Sequence, residues 1–381
     1  MIYLDNAATT FPKPTGTLER ALERYRELGV SPGRGNHALA MRASDAVDEV
    51  RAKVAAFFGA PDPERVIFGA NATDALNTAI LGLVRPGDHV VATRLDHNSV
   101  LRPLHHLAET GVITWDAVPF DERGIVTADA LEALLRPATR LVVMTHASNV
   151  IGTVQPVAEI AGRCAARGIP LVLDAAQSAG QVPIDMAALG ISALAFTGHK
   201  SLFGPSGIGG LVVMPSLEIA TSRFGGTGMD SASLVHTQAY PLRLEAGTLN
   251  LLGVLGLGEG LDFVGAQGVA AIHAREAALL TRLRNGLAAT ERVTLYRAAG
   301  DLADRVAALA CNVDGIHPQD VGAILDGDFD IAVRVGVHCA PLVHRDLGTI
   351  DRGAVRFSLG AFTTGADVDA AVEAMRAIAR N

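Results

Sequence analysis

Leu171-Val172-Leu173-Asp174 and, ending twenty-six residues later, Ala193-Leu194-Ala195-Phe196-Thr197-Gly198-His199-Lys200 are the stretches that decide this fold. Each is a short apolar run that closes on a polar or ionisable residue. That is how a strand covered on both faces reads when its carboxyl end opens onto a site. Lys200 stands out by composition as well. Of the 32 Lys+Arg residues only Lys13, Lys53 and Lys200 are lysines, so arginine carries nearly all the positive charge. A guanidinium stays protonated, whereas a lysine amine can be desolvated and used as a nucleophile or base.

Further runs of the same kind lie around these two. Val66-Phe68, His89-Ala92, Ile113-Trp115, Leu141-Thr145 and Gly210-Val213 bring the strand candidates to seven. Amphipathic stretches at Thr73-Leu83, Thr127-Leu135 and Val157-Arg167 fall between them. Strands alternating with helices predict an α/β fold: a mostly parallel seven-stranded sheet with helices on both faces. Ligands bind such sheets beyond the carboxyl ends of the strands. Asn71-Ala72-Thr73, His97, Asn149, Asp174 and Lys200 all fall just after a predicted strand.

Beyond Asn250 the rhythm changes. Gly253 to Gly268 is glycine-punctuated and helical, and Ile272-Leu287 reads as a long helix. Short strands at Val306-Val313 and Gly353-Phe357 and a last helix at Ala366-Arg380 follow. The expected division is a large cofactor-binding domain over residues 16–255 and a smaller α+β domain from residues 1–15 and 256–381.

Composition narrows the function class. With 49% hydrophobic and 19% charged residues over 381 positions, the chain can bury a large core. A net charge of -8, with no basic run, excludes a nucleic-acid surface. No window approaches the roughly 18 uninterrupted apolar residues of a membrane helix. Met1-Ile2-Tyr3-Leu4-Asp5 lacks the basic start of a signal peptide. Three widely spaced cysteines form no disulfide framework, which points to a reducing cytoplasm.

Asp174 at a strand end reads either as a cap for the next turn or as the carboxylate that keeps a pyridine nitrogen protonated. The small residues Ala175-Ala176 and Lys200 downstream favour the second reading, with pyridoxal phosphate as the cofactor and Gln177 within reach of its ring hydroxyl. Gly69-Ala70-Asn71-Ala72-Thr73 before a helix is an ordinary cap or a phosphate cradle, with the Thr73 hydroxyl available. Thr197 and His199 would add phosphate donors. His97 is a loop histidine or a ring that stacks on a cofactor and relays protons.

Cys164, in a predicted helix, and Cys311, in an apolar strand, read as small buried hydrophobes. Cys339, in Val337-His338-Cys339-Ala340-Pro341, sits in a predicted loop. An adjacent histidine could favour thiolate, but a single His-Cys pair on its own reads first as an inert loop thiol. His338, Cys339 and His344 lack the paired spacing of a zinc site, so no metal is expected. Arg356, within Ala354-Val355-Arg356-Phe357-Ser358, needs a partner: a structural carboxylate or a substrate carboxylate gripped bidentately.

Together these residues resemble the class V aminotransferase family of fold-type I pyridoxal phosphate enzymes, and within it the cysteine desulfurase and selenocysteine lyase group. The resemblance runs from Tyr3-Leu4-Asp5-Asn6-Ala7-Ala8-Thr9-Thr10 to Val355-Arg356-Phe357-Ser358. Its most specific segments are His146-Ala147-Ser148-Asn149-Val150-Ile151-Gly152, Asp174-Ala175-Ala176-Gln177 and Thr197-Gly198-His199-Lys200. Asp96 and Gly336-Val337-His338 depart from the more familiar forms of the group.

The resemblance implies an imine on Lys200, Asp174 on the pyridine nitrogen, Gln177 on the ring oxygen and His97 stacked on the ring. It places Ala72, Thr73, Thr197 and His199 around the phosphate, and Asn149 and Arg356 on the substrate carboxylate. Glu245-Ala246-Gly247-Thr248 implies that Thr248 reaches the cofactor of a second subunit, hence a homodimer. Cys339 falls at the nucleophile position. The expected reaction is L-cysteine to L-alanine, with sulfur left on Cys339 as a persulfide for a protein acceptor. The alternatives are L-selenocysteine cleavage or another reaction of the family: transamination, epimerisation or C–S lysis.

Overall fold

The structure, a computed structural model, describes residues 1–229, 232–300 and 304–380. Strand β1 (Ile2–Tyr3) precedes helices α1 (Thr17–Leu28) and α2 (Ala38–Phe57). Strands and helices then alternate: β2 (Val66–Gly69), α3 (Ala72–Leu83), β3 (His89–Thr93), α4 (Asn98–Glu109) and β4 (Thr114–Val118). The alternation continues through α5 (Ala128–Glu132), β5 (Thr139–Thr145), α6 (Val157–Ala165), β6 (Leu171–Asp174), α7 (Met186–Leu189), β7 (Ala193–Thr197) and β8 (Gly209–Val213). Two long helices follow, α8 (Leu251–Gln267) and α9 (Val269–Ala288), then β9 (Val293–Leu295) and β10 (Ala308–Val313). The remaining elements are α10 (Pro318–Phe329), β11 (Ile331–Ala332), β12 (Arg334–Gly336), α11 (Pro341–Asp346), β13 (Ala354–Ser358) and α12 (Gly365–Arg380).

The seven strands from β2 to β8 form one sheet in the order β2-β8-β7-β6-β5-β3-β4. Only β8 runs antiparallel to its neighbours. Successive side chains point to opposite faces, so an apolar run supplies two cores at once. Val90, Val143, Val172 and Ala195 join Leu76, Ile80 and Leu104 of α3 and α4 on one face. Val91, Val142, Leu173 and Leu194 join Val54, Ile160 and Val254 of α2, α6 and α8 on the other.

Several element bounds differ from expectation, β4 and α5 most of all. Strand β4 starts at Thr114 rather than Ile113 and extends to Val118; as an edge strand, its outer residues remain partly exposed and its apolar pattern is weak. Helix α5 spans five residues. Beyond it the N–H groups of Leu134 and Leu135 donate three residues back, to Leu131 and Glu132, so the expected run to Leu135 tightens out of the α-helix.

Helix α8 is apolar nearly all round because it is buried nearly all round, against α1, α2 and the large sheet. Its glycines allow that approach. A Cβ on Gly260 would collide with the carbonyl oxygen of Leu202, in the turn that follows Lys200. The expected division at residues 255 and 256 falls within this helix. Leu255, Leu257 and Leu261 all lie in the core beneath the large sheet.

A four-stranded antiparallel sheet, β12-β13-β10-β9, packs with α9, α10 and α12 around a second core. Leu4 is buried in that core, and β1 pairs in parallel with β11. Among the described residues no helix is long and apolar enough to cross a membrane.

Candidate active site

The carboxyl ends of β3, β5, β6 and β7 open onto a cavity of about 300 Å³. Its walls bring together Ala72, Thr73, His97, Asn149, Asp174, Gln177, Thr197, His199, Lys200, Cys339 and Arg356, which are far apart in sequence. Thr248 is exposed and lies outside these walls.

Lys200 follows the β7 strand end. Burial pushes its amine down to about 8; Asp174 opposes that shift, while Arg356 and Arg334 add to it. Asp174 ends β6, buried, with Oδ1 accepting from the Ala176 N–H at 2.9 Å. Burial raises its carboxyl, and the Ala176 N–H and Lys200 only partly offset this.

Residues 5–13 close the cavity from one side. The Gln177 amide donates to the carbonyl of Ala7 at 2.9 Å. The carbonyl of His199 accepts from the hydroxyl of Thr9 at 3.0 Å and from Lys13 Nζ at 2.6 Å. Thr10 Oγ1 donates to the carbonyl of Lys200 at 2.9 Å. The backbone that carries Lys200 is therefore pinned from outside the sheet.

At the other wall, Asn71 caps α3 by accepting the Asp74 N–H, and Ala72 and Thr73 form the helix's first turn. His97 caps α4: its Nδ1 accepts the Ser99 N–H at 3.0 Å, which places the ring proton on Nε2. Ser99 Oγ lies 2.8 Å from that nitrogen and 2.7 Å from Thr73 Oγ1, linking the two helix starts. Burial first, then Lys200, pushes His97 down to about 4, and the same two causes bring His199 to about 4. Both rings are neutral at physiological pH. Thr197 Oγ1 is buried with no partner.

The third wall comes from the smaller sheet. Arg356 of β13 is buried; it donates through Nη1 to the carbonyl of Asn149 at 3.0 Å and through Nη2 to Asp5 at 2.6 Å. Of the two partners weighed for this arginine, the structural carboxylate exists, and Arg356 also lines the cavity. Arg334 stands directly opposite on β12 and lines the same wall. Sequence reasoning missed Arg334 and Ser99. The signal for Arg334 was the one that exposed Arg356, an arginine within an apolar strand run.

Cys339 sits in the turn between β12 and α11, with Pro341 at the first helical position rather than in the loop. His338 and Cys339 both take positive φ, 49° and 56°, a conformation that costs an L-residue roughly 1–2 kcal/mol. Two hydrogen bonds hold it: Asn149 Nδ2 donates to the carbonyl of His338 at 2.6 Å, and the Asn98 N–H to that of Cys339 at 2.8 Å. The His338 ring does not serve the thiol as the sequence suggested. It is buried against His344 at 3.2 Å, and burial, then Arg356 and His344, keep it neutral. Among the described residues no group of three or more His, Cys, Asp or Glu could hold a metal ion. Cys164 and Cys311 are buried, and burial pushes both thiols up to about 12.

Asp174 at the end of β6 and Lys200 just beyond β7, on the edge of a mostly parallel seven-stranded sheet, are laid out as in a fold-type I enzyme. The family profile described as Aminotransferase class-V matches residues 2–371, and the chain belongs to that family. Among curated relatives it is 38% identical, over 91% of this chain and 84% of the relative, to a cysteine desulfurase of Dickeya dadantii. It is 34% identical to a probable cysteine desulfurase of Methanothermobacter thermautotrophicus, over 99% of this chain and 94% of that one. The solved apo structure of a cysteine desulfurase from Thermococcus onnurineus superposes with a TM-score of 0.93 at 33% identity, covering 100% of this chain and 94% of that one.

Proposed function

We propose that this chain is a pyridoxal-phosphate-dependent cysteine desulfurase that converts L-cysteine to L-alanine and retains the sulfur on Cys339. One observation carries the reading: Cys339 lines the same cavity as Lys200 and Asp174. The walls fit the cofactor. Asp174 is a buried carboxylate in need of a cationic partner, which a protonated pyridine nitrogen supplies. The unpartnered Thr197 hydroxyl and the first turn of α3 suit a phosphate.

When bound, pyridoxal phosphate supplies a carbonyl for imine exchange and a ring that stores an electron pair. Lys200 would carry it and then move the substrate's Cα proton; lowering the amine to about 8 raises its free-base fraction near neutral pH far above that of an ordinary lysine and suits that task. Asp174 holds the pyridine N–H, Gln177 the ring oxygen, and His97 covers the ring. Ala72, Thr73, Thr197 and His199 bind the phosphate. Asn149 and Arg356 orient the substrate carboxylate.

Cys339 Sγ, as thiolate, attacks the substrate sulfur. The S–S bond forms as the substrate's Cβ–S bond breaks, and the electron pair leaves with the carbon fragment, which is protonated to L-alanine. Cys339 also faces a second cleft of about 450 Å³ between α3 and α4, edged by Leu81, Arg102 and His106. That supports handing the persulfide to an acceptor outside the cavity.

A homodimer completes the site in this reading, with Thr248 contributing to the partner's phosphate. Its exposed position supports this, as does its anchor: buried Glu245 accepts from Arg51 at 2.8 Å and from the Phe68 N–H at 2.5 Å. Phe224, Met229, Leu234 and Val235 stand exposed on the same stretch. Free thiols at Cys164, Cys311 and Cys339 support a cytoplasmic setting.

The test is incubation with L-cysteine, measuring alanine and protein-bound persulfide together. Cys339→Ala should abolish both while keeping the cofactor's absorbance. Unchanged cysteine turnover in that variant would overturn the role of Cys339.

A further inference from the structure

Arg356 is committed before any substrate arrives. A guanidinium carries five N–H donors, and two of the amino groups here already donate, to the carbonyl of Asn149 and to Asp5. Arg356 lines the cavity and Asp5 does not, and the guanidinium keeps a further buried donor, Nε, without a partner. The backbone of Asp5 is fixed by the bridge to Ser358 and by the Tyr3 hydroxyl, which donates to the Asp5 carbonyl at 3.1 Å. Asp5 is therefore a fixed partner of Arg356 rather than a mobile surface carboxylate.

Arg334 and Arg356 lie directly opposite each other on β12 and β13, so this end of the cavity holds two cations. Asp5 is the carboxylate that pairs with one of them, at 2.6 Å. A substrate carboxylate on Arg356 would share that guanidinium with Asp5. Like charges flanking one cation repel, and the repulsion is strong where water is excluded.

We propose that Asp5 is an internal counter-carboxylate that sets how tightly Arg356 holds the carboxylate of an α-amino acid. The inference rests on the assignment of Arg356 to the substrate carboxylate. Asp5 weakens the grip on substrate and product alike, and so keeps product release fast. It also prevents the two arginines from trapping inorganic anions. Removing its charge leaves the fork in place, because Arg356 is buried within β13 and still donates to Asn149.

The experiment is calorimetric titration of the cofactor-loaded protein with L-alanine, and with ethylamine, which lacks the carboxylate. Asp5→Asn and Asp5→Ser are compared with wild type and with Asp5→Glu, and thermal melts identify the folded variants. The expected result is L-alanine binding about tenfold tighter or more in Asp5→Asn or Asp5→Ser. Ethylamine should be unchanged, and Asp5→Glu should stay near wild type. KM for L-cysteine should fall with kcat, and chloride should compete with L-alanine only in the neutral variants. Equal or weaker L-alanine binding in a folded neutral variant overturns the role of Asp5. Wild type that binds L-alanine no better than ethylamine overturns the assignment of Arg356, and the inference with it.

Discussion

The Asn149 side-chain amide donates to the backbone carbonyl of His338 at 2.6 Å, so a residue after β5 holds the loop that presents Cys339. The carbonyl of the same Asn149 accepts from Arg356 at 3.0 Å. One residue thus joins the carboxylate grip to the nucleophile, and it spans the two sheets.

Asn149→Ala removes one of the two hydrogen bonds that hold His338 and Cys339 in their left-handed conformation, leaving the one from the Asn98 N–H. Persulfide formation on Cys339 should fall about tenfold, the effect of losing one buried hydrogen bond worth ~1.4 kcal/mol. Absorbance of the bound cofactor should persist. If alanine and persulfide form at the wild-type rate, the loop does not depend on Asn149.

Lys200 is the group whose titration the reaction should report. Below about 8 its reactive free-amine fraction falls tenfold per pH unit, and above that value it levels off. Recombination of cofactor-free protein with pyridoxal phosphate should accelerate with pH and reach a plateau just above 8. A midpoint near the ordinary lysine value would show that burial does not tune this amine. Lys200→Arg should bind the cofactor without a covalent link.

Much of this site was legible because its chemistry sits at strand ends. Asp174 and Lys200 close apolar runs whose length and composition already marked them as buried strands, and both occur where the sequence placed them. Arg334 and Ser99 were missed for a physical reason. Arg334 lies in an apolar run as Arg356 does, but its three-residue strand is too short for that run to be read as a strand, and Ser99 acts through a cap whose geometry appears only when α3 and α4 lie side by side. The pairing of Asp5 with Arg356 was likewise out of reach, since local pattern carries no information across 351 residues.

The glycines of α8 offer a matched pair. Gly260→Ala places a Cβ 2.9 Å from the Gly204 nitrogen, and both that atom and the Leu202 carbonyl it would strike belong to backbone that cannot yield. It should cost about 1–3 kcal/mol and lower cofactor affinity by shifting the turn after Lys200. Gly265→Ala meets nothing within 4 Å on an exposed face and should stabilise by roughly 0.5–1 kcal/mol. Chemical denaturation of the two variants distinguishes close packing from mere helix propensity; equal effects would refute the packing argument.

Glu276 is buried in α9, and burial pushes its carboxyl up to about 8, from 4.5. The folded state therefore binds more protons than the unfolded state between those values. This stabilisation is fully present below 4.5 and is lost as pH rises through 8. Glu276→Gln should melt near wild type at pH 5 and progressively above it toward pH 8. Melting curves that stay parallel across this range would show that the carboxyl is not titrating as its burial demands.

The strap formed by residues 5–13 has a consequence for biosynthesis. Its partners include the turn at Lys200 and, through Asp5, Arg356 on a strand that ends at Ser358. During translation the first dozen residues must wait for nearly the whole chain to leave the ribosome before they find their place. Until then the large sheet can form its strands, but the pocket stays open on one side. Cofactor capture is in that sense among the last events of folding, and an N-terminal fusion that hinders the strap would yield folded but poorly loaded protein.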